Sequence, residues 1–321
     1  MFCSIVIPTI GRSTLIRSIR SVLDQSISKD DFEVIVVNDS GRDLSNVEWR
    51  EMGTVRIINT QRRERNFARN TGAAIAKGDY LCFLDDDDWL LPGALNHLWT
   101  LSCQEKDAAW LCGGIQVVDE LGTILGEVNS GLKGNCFAQI MGGAWAPIQA
   151  SLIKTKAFFE VGGFTPSICG TEDLDLSRRV AYLGDFASTP YPVACLYRGK
   201  TWDTSTDYLR AAEDTKRSRD VVLNEEGTFR RLLSSVSTSD NPKYWNGRIL
   251  RVYLSTVNFN LNHRQLFSAV SRGIYSLAWI ILAGWGIFSQ EFWRGVKAHH
   301  VPATLHFIME EYERGINTSA F

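Results

Sequence analysis

Several absences narrow the chain before any motif does. Its seven cysteines, at positions 3, 82, 103, 112, 136, 169 and 195, are odd in number and contain no C-x-x-C pair. Neither a zinc ribbon nor a disulfide scaffold is expected, and a reducing, intracellular setting suits the composition. No charge of one sign predominates: 34 Lys and Arg against 36 Asp and Glu leave a formal net charge of -2 over 321 residues, which excludes a polycation built to wrap nucleic acid. The phosphate-loop patterns G-x-x-x-x-G-K and G-x-G-x-x-G are missing, as are H-E-x-x-H and the G-x-S-x-G elbow. Histidine is sparse: the five are 97, 263, 299, 300 and 306, and adjacent His299 and His300 lack helical metal-ligand spacing, so all five read as surface residues. The N-terminal MFCSIVIPT has no basic leader, and Pro8 ends its apolar run early, so it reads as a strand and not as an export signal. No internal repeat or low-complexity linker occurs.

What is present is enough apolar residue, 45%, to build one large or two modest cores, distributed in an α/β rhythm. CSIVIPT predicts a strand, Thr14 to Gln25 a helix with Leu15, Ile19, Val22 and Leu23 on one face, and FEVIVVND a second strand. Val55 to Asn59 and Asp79 to Leu84 predict two more strands, separated by a helix over Asn66 to Ala76 that Gly78 stops. Three of these strands end in polar groups, at Thr9, at Asn38 and Asp39, and at Asp85 to Asp88. In an open parallel sheet, ligands collect beyond such carboxyl ends. Further on, Pro92 to Leu101 predicts a helix, Ala109 to Gly114 a strand, Gln116 to Gly134 a hairpin region and Asp173 to Leu183 a helix. We expect this α/β domain to end near Thr206, with a mainly helical extension from residue 207 to 321.

Three constellations carry chemistry. In FLDDDDW, residues 83 to 89, four consecutive carboxylates at a strand end repel one another unless a cation or several donors compensate them, and a hard divalent ion does so. Along an extended segment Asp85 and Asp87 share one face, leaving Asp86 and Asp88 to hold loop backbone or basic side chains; an acidic turn before the next helix fits the same residues. Asn38, Asp39 and Ser40, with Arg62, Arg63, Arg65 and Arg69 and then Asn70, supply a carboxylate for a base or ribose and guanidinium groups for phosphate, or else an Asx turn and a solvated helix face. Arg12 is a weaker phosphate candidate. Finally, Glu172 and Asp173 open a helix, where they serve either as caps or as a base for an acceptor hydroxyl; Asp175, Arg178 and Arg179 on that helix read mainly as salt-bridge partners.

IVIPT, VNDS, RNTGAAIAKGDYLCFLDDDDWLLPGAL and VGGF followed by GTEDLDLSRR, in that order and spacing, resemble the inverting family 2 glycosyltransferases of GT-A fold. The resemblance covers about the first 200 residues. It implies a Rossmann-like mixed sheet flanked by helices, a nucleotide-diphosphate-sugar donor, most often a UDP-sugar, and Mn²⁺ or Mg²⁺ as cofactor. It implies that Pro8 and Thr9 line the nucleotide site, that Asp39 contacts the base, and that Arg69 and Asn70 lie beside the base or ribose and phosphates. Arg12 and Asp86 join this nucleotide-sugar set. Asp85 and Asp87 match the family's DxD pair, Asp87 as metal ligand and Asp85 as ribose or sugar contact; Asp173 matches the catalytic base and Glu172 its neighbour. Many members carry a histidine after a Tyr-Arg segment downstream of the base. Here the sequence reads LYRGKTWDTST from Leu196, and Arg198 and Lys200 become candidate diphosphate contacts. Trp145 to Gln149 and the loop around Gly163 are expected to contribute to the sugar pocket.

The resulting expectation is transfer of a sugar to a hydroxyl of a glycan or lipid-linked acceptor in the cytoplasm or at the inner face of its membrane, with no nucleic-acid partner. A binding protein without turnover, or less readily a nucleotidyltransferase, are the competing readings. The uncharged stretch Gly273 to Phe288 falls just short of the roughly 20 residues that span hydrocarbon, and its aromatic and basic flank suits either a membrane surface or a homo-oligomer contact.

Overall fold

The computed structural model describes residues 1–44, 54–61, 64–168, 170–198 and 208–298. Lys200, Arg62, Arg63, Cys169, Thr206, His299, His300 and His306 lie outside them. The described residues divide into two compact units. The first draws on Met1–Gly134, Ala146–Ser167 and Leu183–Thr204, the second on Asn135–Trp145, Ile168–Tyr182 and Ser205–Phe321.

The first unit is built on nine strands: β1 (Cys3–Thr9), β2 (Phe32–Asn38), β3 (Val55–Asn59), β4 (Tyr80–Phe83), β5 (Trp89–Leu90), β6 (Trp110–Val118), β7 (Ile124–Val128), β8 (Ser151–Lys154) and β9 (Phe186–Tyr197). They form one sheet in the order β3-β2-β1-β4-β8-β6-β9-β5, with β7 paired to β6. The β-branched runs of β1 and β2 are buried almost throughout, as expected of strands covered on both faces. The β3-β2-β1-β4 half is parallel; β8 runs antiparallel to both β4 and β6, making the sheet mixed. Because β1 is flanked by β2 on one side and β4 on the other, the chain switches direction across the sheet at β1, and the crevice beyond Thr9 and Phe83 is where such folds take ligands.

Helices α1 (Leu15–Leu23), α2 (Arg65–Ala74), α3 (Ala94–Gln104) and α5 (Thr155–Glu160) belong to the same unit. The side chain of Glu64 caps α2, accepting from the backbone N–H groups of Asn66 and Phe67. Helix α2 lies so close to β1 and β2 that a Cβ on Gly72 would come within 2.4 Å of Val6 Cγ1 and 2.9 Å of Val37 Cγ2.

The second unit is helical: α4 (Phe137–Gly142), α6 (Glu172–Leu183, through Tyr182), α7 (Tyr208–Leu223), α8 (Thr228–Ser237), α9 (Pro242–Asn262), α10 (Leu266–Ala283) and α11 (Gln290–Lys297). Asn241 caps α9, whose first residue is Pro242. Buried Asp220 of α7 anchors α9 and α10: its Oδ1 accepts from Asn260 Nδ2 at 2.9 Å and from Arg272 Nε at 2.7 Å. The mainly helical C-terminal region thus matches its sequence pattern. Sequence reading passes over β8 and β9, which carry little periodicity and owe their strand state to pairing with β4 and β6.

The tightness at Gly72 yields a prediction. Gly72→Ala lowers stability by roughly 1–3 kcal/mol through overpacking, despite alanine's better helix propensity, and a urea denaturation series detects it as a reduced midpoint with unchanged slope.

Candidate active site

Beyond the carboxyl end of β4 the chain turns through Asp85, Asp86, Asp87 and Asp88, alternately half-buried and buried. This alternation puts Asp85 and Asp87 on the accessible side. The other two are held inward. Asp86 accepts from Thr9 Oγ1 at 2.5 Å and from Arg12 Nη1 at 2.7 Å, while Asp88 Oδ1 accepts the backbone N–H of Tyr197 at 2.9 Å. Helix α1 fixes the backbone of the loop: Ser18 Oγ donates to the Asp88 carbonyl at 2.5 Å and Arg17 Nη2 to the Asp87 carbonyl at 2.8 Å. Arg17 also stacks 3.9 Å over the Trp89 ring. These α1 residues were not legible as site residues; the only signal is a polar Ser18 among the apolar positions of a helix face.

Asp85 meets Arg69 of α2 at 2.6 Å, and the Arg69 guanidinium lies 5.2 Å over Phe164. Gln149 Nε2 approaches the other Asp85 oxygen at 3.4 Å. Burial acts to raise the Asp85 pKa, but Arg69 and Arg65 outweigh it and hold the carboxylate below its usual range. Asp87 is shifted the other way, by burial and then by Asp85. Asp88 is pushed well above the ordinary range by burial, Asp85 and Asp87. For Arg198, burial lowers the pKa despite the attraction of Asp88, Asp87 and Asp85.

Three of these carboxylates, Asp85, Asp87 and Asp88, bring one oxygen each within 4.8 Å of one another. An all-oxygen donor set of mutually repelling carboxylates, two of them with raised pKa values, fits a hard divalent cation. Sequence alternation set Asp88 apart from this group; the turn after β4 brings it in because the segment does not stay extended past Asp86.

The remaining nucleotide-site candidates divide by what already holds them. Asp39, at the end of β2, is buried, with Oδ1 accepting from Thr60 Oγ1 and Oδ2 from the Glu64 N–H, each at 2.7 Å. It thereby anchors the entry to α2 and so the helix that carries Arg69. Asn70 exchanges two hydrogen bonds with the backbone of Phe164, donating at 2.8 Å and accepting at 2.9 Å. The preceding Gly163 has φ +70, and a Cβ there would sit 2.7 Å from Asn70 Oδ1, so only glycine suits this turn. Pro8 and Thr9 end β1 beside this crevice.

Glu172 and Asp173 lie in the second unit, at the start of α6. Glu172 is buried. Both oxygens of Asp173 have partners: Oδ1 accepts the N–H of Leu174 at 2.8 Å and Oδ2 the indole N–H of Trp145 at 2.6 Å. Asp175 pairs with Arg179 at 2.6 Å, as expected. Arg178 departs from the salt-bridge reading: it is fully buried and donates to Ser218 Oγ at 3.1 Å, and burial draws its pKa down to about 10.

Residues 4–135 match the model of the glycosyl transferase family 2. A crystal structure of Staphylococcus aureus TarS 1–349 in complex with UDP-GlcNAc superimposes with a TM-score of 0.61, covering 86% of this chain and 90% of that one at 16% identity. The chain has the GT-A-like fold, and its residues 4–135 are similar to family 2 glycosyl transferases. An uncharacterized glycosyltransferase of Haemophilus influenzae is 25% identical over 212 residues, 64% of this chain and 71% of that protein. The poly(ribitol-phosphate) beta-N-acetylglucosaminyltransferase TarP of S. aureus is 37% identical over 103 residues, 30% of this chain and 31% of its own length. A Campylobacter jejuni GalNAc(5)-diNAcBac-PP-undecaprenol beta-1,3-glucosyltransferase is 32% identical over 102 residues. With the last two the shared segment spans about a third of the relative's length. The acidic cluster in this setting is consistent with an active inverting glycosyltransferase.

Two measurements test the site. Mn²⁺ or Mg²⁺ added to chelator-treated protein raises its thermal midpoint, with about 2.7 kcal/mol of stabilisation at a hundred times Kd, and Asp87→Asn abolishes the response. Arg69→Met leaves Asp85 without its cation and costs roughly 3 kcal/mol in urea denaturation, whereas Arg69→Met combined with Asp85→Asn recovers most of that loss.

Proposed function

We propose that the protein transfers a sugar, with inversion, from a nucleotide-diphosphate donor, in the first instance a UDP-sugar, to a hydroxyl of a glycan or lipid-linked acceptor in cell-surface polysaccharide or glycoconjugate synthesis. The observation that carries this reading is the loop Asp85 to Asp88 at the sheet switch point, three of whose carboxylates converge within 4.8 Å. The activities for which TarP and the Campylobacter enzyme are named, both sugar transfers to polymer or lipid-diphosphate acceptors, support the acceptor class. We assign residues 1–206 to transfer and residues 207–321 to a helical accessory region, and we place the enzyme at the cytoplasmic side of a membrane.

In this reading Asp173 accepts the proton of the acceptor hydroxyl, which attacks the anomeric carbon opposite the diphosphate; the bond to the diphosphate oxygen breaks and its electron pair leaves with the nucleotide. The second unit suits Asp173 to the task because Trp145 and the Leu174 N–H hold its carboxylate in one orientation. Glu172 is the neighbouring carboxylate that orients the acceptor. Pro8, Thr9, Arg12, Asp39, Arg69, Asn70, Asp85 and Asp86 form the donor site, with Asp85 the ribose or sugar contact, and Arg198 and Lys200, the latter outside the described residues, are the candidate diphosphate contacts. Mn²⁺ or Mg²⁺ held by Asp87, with Asp85 and Asp88 adjoining, compensates the charge of the diphosphate when bound.

The test is incubation of purified protein with Mn²⁺ and a panel of UDP-, GDP- and dTDP-sugars, following nucleotide release and product mass with and without acceptor. Asp173→Asn lowers kcat about a hundred- to ten-thousand-fold while donor binding is kept. Absence of hydrolysis and transfer under every condition, with Asp173→Asn binding donors as wild type does, overturns the proposal. Trp145→Phe removes a donor to the ionised carboxylate. It lowers kcat about tenfold while the donor KM stays unchanged; an unchanged kcat assigns Trp145 a purely structural role.

A further inference from the structure

Among the described residues, Leu266–Phe288 is one segment long and apolar enough to cross a bilayer, yet the surroundings of α10 tie one of its faces to protein. That face carries Ala269, Arg272, Ser276 and Trp279, all buried. Arg272 is ion-paired to Asp220 and donates to Asn224 Oδ1 at 2.5 Å; Trp279 donates to the Asn246 carbonyl at 3.1 Å. Crossing a membrane requires pulling a buried arginine off its carboxylate and placing it in hydrocarbon, where charge is costly. Lying along a surface requires neither.

The opposite face is apolar and open. Phe267, Val270, Ile274, Leu277, Ile281 and Trp285 recur every three or four residues, from 61% to 89% exposed, in one stripe along the helix and the turn that follows it. The segment that carries the stripe is free of acidic residues: from Asn241 to Gln290 there is no Asp or Glu, with Asp240 and Glu291 at its two limits, and among the described residues Lys243, Arg264, Arg294 and Lys297 are exposed. At the C-terminal end, an open groove of about 660 Å³ brings Phe288 and Trp293 together with Arg294 and Lys297. Aromatic rings beside two guanidinium or ammonium groups match a phospholipid at the depth where acyl chain meets phosphate.

We propose that the stripe of α10 and the groove before and along α11 form a docking surface for an anionic lipid bilayer, with α10 lying in the interfacial plane, its apolar face toward the acyl chains and Arg294 and Lys297 on lipid phosphate. A second copy of the chain is the less suited occupant, since pairing two such surfaces brings like-charged rims together. This inference rests on the helical unit alone and is read by binding, so it stands or falls separately from sugar transfer.

The experiment is flotation of the full-length protein with vesicles of phosphatidylcholine and with vesicles enriched in phosphatidylglycerol, at low and high salt. Binding to the anionic vesicles that weakens with salt is expected, together with quenching of tryptophan fluorescence by brominated acyl chains that Trp285→Phe reduces. Arg294→Gln with Lys297→Gln, two exposed changes, weakens binding about 30-fold, and Ile274→Ser with Ile281→Ser abolishes quenching while circular dichroism stays unchanged. Equal binding to both vesicle types, resistance to alkaline extraction as a spanning helix shows, or no vesicle binding in a protein whose light-scattering dimer falls apart on Ile274→Ser with Ile281→Ser would each overturn the proposal.

Discussion

Four adjacent carboxylates cannot be folded into a loop unless their mutual repulsion is relieved, and the first unit is organised around that constraint. Each aspartate has its own answer. Asp85 is matched by Arg69, brought in on α2; Asp86 by Arg12 and the hydroxyl of Thr9 at the end of β1; Asp88 by the Tyr197 N–H at the end of β9. Asp87 is approached by Arg12 at 3.3 Å and has the most access to solvent of the four. The loop thus leaves negative charge on its accessible side and satisfies it on the other.

The same constraint explains side chains that support the loop from a distance. Asp39 fixes the Glu64 N–H, Glu64 caps α2, and α2 presents Arg69. Ser18 and Arg17 hold the carbonyls of Asp88 and Asp87, so α1 sets the backbone path of the loop. Positional precision here comes from side chains bonding backbone groups on distant segments, a rigid support of the kind a charge-binding site needs.

In the helical unit a second buried electrostatic group has a different role. Asp220 draws Asn260 and Arg272 inward and so decides which face of α10 is covered. Once Arg272 is committed, the helix presents its remaining, apolar side outward. An anchored polar face beside an open apolar one is the geometry of a peripheral helix, and it arises within the same compact unit as Asp173 and Trp145.

Much of this was legible from residue order. β-branched runs ending in polar groups announced an α/β sheet with a crevice at Thr9, Asp39 and Asp85, and i,i+2 spacing placed Asp85 and Asp87 on one face, as their shared half-burial bears out. Local periodicity also marked the helices after residue 207, since each depends on its own apolar spacing. Tertiary structure decided what depends on distant partners: strand state in β8 and β9, the entry of Asp88 into the carboxylate group, the grip of Asn70 on Phe164, and the hold of Trp145 on Asp173. It also decided the fate of Gly273 to Phe288. Hydropathy counts residues along a chain and gives one number to a helix with a buried arginine; only packing reveals that Arg272 is already paired and that the apolar stripe faces away from it.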